Sequence, residues 1–81
     1  MRPLDSGERK KEEVEGGLIV EQVDGAAERA GIARGDIILS ANGTSIKDVA
    51  GLRAQVKKSG KSVALLVQRD GNRIFIPVRV G

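Results

Sequence analysis

Cysteine and histidine are both missing from this 81-residue chain, the aromatic residues are reduced to Phe75, and prolines number two. Each shortage removes a class of chemistry. Without Cys or His there is no disulfide, no Cys/His zinc site and no Ser-His-Asp or Cys-His nucleophile. Five serines remain, at positions 6, 40, 45, 59 and 62, but no evident Ser-Lys arrangement activates them. The chain therefore reads as non-catalytic and free of cofactors. A lone aromatic is no platform for stacking bases. The charges, 14 Lys+Arg against 11 Asp+Glu for a net +3, are mixed rather than segregated. The one basic run, Arg9-Lys10-Lys11 followed by Glu12-Glu13, reads as a solvated loop and not as a nucleic-acid patch. No apolar run approaches ~18 residues, and the N-terminus lacks the basic-then-apolar layout of an export signal, so no segment is read as inserting into a membrane. The lack of Cys is compatible with an oxidising compartment without identifying one.

What is present describes one small domain, near the lower size limit for a core without staples. Residues 5–16, "DSGERKKEEVEG", hold Val14 as their only large apolar side chain. They read as an exposed, mobile connection. "LIVEQV" from Leu18 is β-branched and reads as a strand punctuated by Asp24-Gly25. "AAERAG" is a short helix that Gly31 ends in the left-handed conformation. "GDIILSANG" reads as a second strand, with Ile37, Leu39 and Ala41 on one face, Ile38 and Ser40 on the other, and a tight turn at Asn42-Gly43. A longer helix starts after Asp48, a suitable N-cap, repeats Val49, Leu52 and Val56 at i, i+3 and i+7, and stops at Ser59-Gly60. Gly51 inside it is a local weakness of up to ~1 kcal/mol relative to Ala. "SVALLVQR" and "NRIFIPVRV" flank Asp70-Gly71 as a hairpin. Its buried face takes Ile74, Ile76, Val78 and Val80, and Pro77 calls for an edge strand or an outward position. The expected architecture is α+β and mainly β: a small, partly open β-barrel or sandwich of about five strands with two helices.

In that order, "GGLIVEQVDGAAERAGIARGDIILSANGTSI", "DVAGLRAQVKKSG" and "SVALLVQRDGNRIFIPV" resemble a PDZ domain. The likeness is strongest to the C-terminal PDZ domain of periplasmic HtrA-type (DegP/DegQ-like) serine proteases, and it runs over residues 17–80. It implies the circularly permuted bacterial form of the fold, with residues 17–81 as the PDZ core and residues 1–16 as a truncated N-terminal strand and loop. It also implies a function. A peptide adds as an extra strand between a sheet edge and the longer helix, with its C-terminal carboxylate in a backbone nest. In the family that nest precedes the accepting strand, so Gly16-Gly17 reads as the start of the next strand rather than as an anion cradle. Nest residues would lie before "RPL", and the chain is expected to be a fragment cut inside or just after that loop.

Carried over residue by residue, the resemblance makes Arg2, Pro3 and Leu4 the remnant of the accepting strand, with Pro3's missing N–H turned away from the peptide. It places Val49 and Arg53 one turn apart on the groove side of the helix and Val56 beneath the pocket for the terminal residue. Core packing is the competing reading for Val49, Leu52 and Val56, and is favoured for the last two; a solvated helix face is the competing reading for Arg53. Arg34-Gly35-Asp36 is expected in a turn, where Asp36 accepts backbone N–H bonds. The implied role is a peptide-binding module of a periplasmic serine endoprotease in protein quality control. Its partners would be C-termini or unfolded segments and the other domains of the parent. A purely structural or oligomerising domain, or the PDZ domain of another protease or secretion component, is the alternative.

Overall fold

The computed structural model describes residues 1–79. Val80, expected on the buried face of the last strand, lies outside the described residues. In chain order the elements are β1 (Arg2–Pro3), α1 (Ser6–Glu12), β2 (Leu18–Ile19), α2 (Gly25–Ala30), β3 (Ile37–Ala41), β4 (Thr44–Ser45), α3 (Val49–Ser59), β5 (Ser62–Arg69) and β6 (Asn72–Arg79). The strands form one antiparallel sheet in the order β1-β2-β3-β5-β6, with β4 paired to the far end of β3. The sheet is open: β6 forms one edge, and β1 and β4 share the other.

Turn chemistry sets the registers. Asp70 and Gly71 have φ of 51° and 80°, and Arg69 pairs with Asn72 across them. Two consecutive positive φ angles give the turn whose twist matches the strands it joins. Asn42 and Gly43 repeat the device between β3 and β4, at 50° and 83°. Along β5 and β6 every second residue then faces one way: Val63 opposite Val78, Leu65 opposite Ile76, Val67 opposite Ile74. These pairs form the core with Leu18, Ile38 and Ala41. α3 closes it over β5 and β3, and α2 packs against β6. The core is wholly aliphatic, since Phe75 points the other way and is 72% exposed.

Three features differ from the sequence-based expectation. The first is α1, inside the stretch expected to be a mobile connection. It buries none of its own residues, so it forms without an apolar face. Asp5 accepts from the Glu8 amide at 2.8 Å, and the Glu8 carboxylate accepts from the Asp5 amide at 3.0 Å. This reciprocal capping box satisfies two donors at once, and Arg9, Lys10 and Lys11 lie in the last turn where the helix dipole favours cations. The second is β3, where the register shifts between Ile38 and Ser40. The irregularity puts Ile38 and Ala41 together in the core instead of on opposite faces. The third is the strand starting at Leu18, which pairs only over Leu18–Ile19. Beyond it the Val20 amide donates to the Asp36 carbonyl at 2.8 Å.

Gly51 has a local explanation. Asp48 caps α3 by accepting from the Gly51 amide at 2.6 Å, and a Cβ at position 51 would sit 3.1 Å from that same carboxylate oxygen. The glycine makes room for the cap. Gly17 likewise starts β2 at φ 148°, and a Cβ there would lie 2.9 Å from the Ile38 carbonyl. It is a point of close strand approach, in keeping with its reading as the start of a strand.

Candidate peptide-binding groove

Strand pairing decides which way each residue of β1 looks. Pro3 lies opposite Leu18 and Arg2 opposite Ile19. Leu18 belongs to the core, so Pro3 shares the sheet face that carries α3, and Arg2 faces the opposite side. Pro3 is exposed and Leu4 is buried, 4% exposed, outside the main core cluster. On α3, Leu52 is buried in the core, Val49 and Val56 pack against it half-buried, and Arg53 is exposed. Pro3, Val49, Val56 and Arg53 thus belong to the α3 side of the sheet, whereas Arg2 and Leu4 belong to the side covered by α1.

The Leu4 amide donates to the Gly17 carbonyl at 3.1 Å. In an antiparallel ladder this makes Pro3–Leu18 the pair that exchanges no hydrogen bonds, so the backbone groups of Pro3 point to the free edge. That reverses the expectation that its missing N–H would be turned away from an incoming strand. At this position the edge accepts through a carbonyl and donates nothing. Pro77 on β6 has the same aspect. Its partner Ala64 spends its backbone groups on Asn42, donating to the side-chain oxygen at 2.9 Å and accepting from the amide at 2.8 Å. Pro77 therefore faces outward on the other edge strand, as expected of a strand proline.

Arg2 is committed on its own face. Its guanidinium grips the Glu8 carboxylate through two bonds, Nη1 to Oε1 at 2.6 Å and Nη2 to Oε2 at 2.8 Å. Its Nε lies 3.4 Å from Glu21. The Arg2 hydrogen bond, followed by that from the Asp5 amide, holds the Glu8 carboxyl down at about 2, against 4.5 ordinarily. Sequence reasoning missed Glu8, although Asp5-Ser6-Gly7-Glu8 has capping-box spacing.

The second charged centre is structural. Asp36, 2% exposed, accepts from Arg69 Nε at 2.9 Å, Arg69 Nη2 at 2.6 Å and the Ala33 amide at 2.9 Å. The Arg69 hydrogen bond is the main cause of its carboxyl being held below the usual range, and the Ala33 amide adds to it. Asp36 is the turn residue the sequence anticipated, buried while Arg34 and Gly35 beside it are exposed. Two surface cavities, of about 510 and 650 Å³, lie beside α1 and the β3–β4 turn, and neither is lined by an α3 residue. Among the described residues no group of three or more carboxylates is placed to hold a metal ion.

Comparison with known proteins identifies the family and the fold. The family model described as a PDZ domain matches residues 19–69, and the chain belongs to that family. It is 40% identical over 74 residues to a probable periplasmic serine endoprotease DegP-like of Marinomonas sp. (strain MWYL1), covering 88% of this chain but 16% of that protein. The chain thus spans about a sixth of that relative. Its fold matches the HtrA3 PDZ domain bound to a phage-derived ligand (FGRWV), with a TM-score of 0.81, 26% identity, and 96% of this chain and 76% of that one covered. It also matches the HtrA-type protease AlgW with a decapeptide, with a TM-score of 0.72, 25% identity, and 99% and 26% covered. A PDZ domain is not itself catalytic, and the serine protease activity in those names belongs to the longer relatives.

Proposed function

We propose that the chain is a peptide-binding module of an HtrA-type periplasmic serine endoprotease, taking C-termini or extended segments of protein substrates for quality control. The observation that carries this reading is the free edge of β1 on the side of the sheet occupied by α3. An extended peptide laid there donates an N–H to the Pro3 carbonyl. Its apolar side chain meets Val49 and Val56, and Arg53 at the rim favours an acidic or polar residue nearby. Main-chain bonds supply affinity and the side-chain pockets supply choice. The solved HtrA3 PDZ domain supports the reading, because it is bound to a phage-derived peptide ligand, and the HtrA-type protease AlgW was solved with a decapeptide.

The second reading is a docking domain that takes no free peptide, and Pro3 favours it by depriving the ladder of a donor. An NMR titration separates the two. The 15N-labelled chain is mixed with a short peptide ending in an apolar residue and a free carboxylate, alongside its C-terminally amidated twin. Saturable shifts at Leu4, Val49 and Arg53 with the free acid alone support carboxylate-directed capture. A folded spectrum that neither peptide moves rejects it in favour of docking.

A further inference from the structure

The proposed accepting strand is only two residues long and pairs only with β2. A strand so short is not held by its ladder alone. What ties it down comes from α1, on the face away from the groove. Glu8 sits at the third position of α1 and closes both the capping box with Asp5 and the two-bond pair with Arg2. One helical turn therefore fixes the residue before Pro3 through Glu8. It also fixes the residue after it, since Arg9 Nη1 donates to the Leu4 carbonyl at 3.3 Å. Pro3, the residue between, is the one whose carbonyl faces the free edge.

The freed alternative for Arg2 is equally visible. Its Nη1 already donates to the Pro3 carbonyl at 3.3 Å while it holds Glu8. Without the Glu8 carboxylate, the guanidinium is free to settle on the one acceptor that Pro3 offers an incoming strand. Glu8 thus sets the position of β1 and holds the guanidinium mainly to itself, leaving only the longer bond to that acceptor.

We infer that Glu8 is a positioning residue for peptide capture, its bidentate grip on Arg2 fastening the accepting edge strand to α1 from behind. The inference rests on the peptide-binding reading above, and its test separates the two. Glu8→Gln removes the charge but keeps an amide oxygen able to accept from the Asp5 N–H, so the capping box and α1 survive. Arg2→Lys keeps the charge but loses the planar fork.

Hydrogen exchange at the Leu4 amide, which is bonded to Gly17, reports the docking of β1 without any peptide. Affinity for the free-acid peptide reports capture. Glu8→Gln is expected to speed Leu4 exchange about three- to fivefold and weaken the peptide by a similar factor. Exchange in β5 should stay unchanged, and Arg2→Lys should fall between. Unchanged Leu4 exchange in Glu8→Gln overturns the clamp, and faster exchange with unchanged affinity overturns its role in capture. If the unsubstituted chain takes up no peptide, the binding reading falls on its own account, and Leu4 exchange still decides whether the clamp exists.

Discussion

Two carboxylates, Glu8 and Asp36, make the folded chain sensitive to acid. Each has an arginine as its strongest partner, and each is held below its ordinary pKa in the folded state, Glu8 at about 2 against 4.5. The unfolded chain therefore binds more protons than the folded one in acid, and stability falls as pH falls. The contribution of Glu8 is complete above about 4.5 and disappears as pH drops through about 2. Urea midpoints are expected to hold level down to about pH 4.5 and decline below it, with a shallower decline in Glu8→Gln. A midpoint that is flat to pH 2 would contradict this. Of these two groups the sequence pointed to Asp36, through the turn glycine before it. Glu8 was hidden because hydrophobic periodicity was the guide there, and a capping box is a polar signal without periodicity.

At the scale of elements, the helices and turns legible in the sequence are those with strong local chemistry. Asp48, Gly31, Asn42-Gly43 and Asp70-Gly71 all sit where their side chains or φ angles are needed. Asp48→Ala should destabilise the domain by about 1 kcal/mol, because the Gly51 amide loses its acceptor at the exposed start of α3. Thermal or urea unfolding measures it, and a loss below a few tenths would mean that water replaces the cap. The irregularity in β3 was not legible. It arises where Ser40 must pair with Ser45 on one side and Leu66 on the other, a demand made by two neighbours distant in sequence. The direction of Pro3 was hidden for the same reason, since only the Leu4–Gly17 bond reveals which backbone groups of β1 look outward.

For the whole molecule, the open sheet presents two edges, and each carries a proline aimed outward. Exposed edges invite pairing with other chains. Replacing Pro77 by Val restores an outward N–H and raises β propensity on a strand that already bears the exposed Phe75. Pro77→Val should therefore raise the weight-average mass in sedimentation at high protein concentration. A mass equal to that of the unsubstituted chain would show that Pro77 is no barrier. The same device has a consequence for fibrils. Endless stacking of strands needs every layer to give and take along both borders, and here each border has one position that can take but not give. An open sheet with an outward proline on each border is thereby hindered from becoming one more layer in a stack of its own copies.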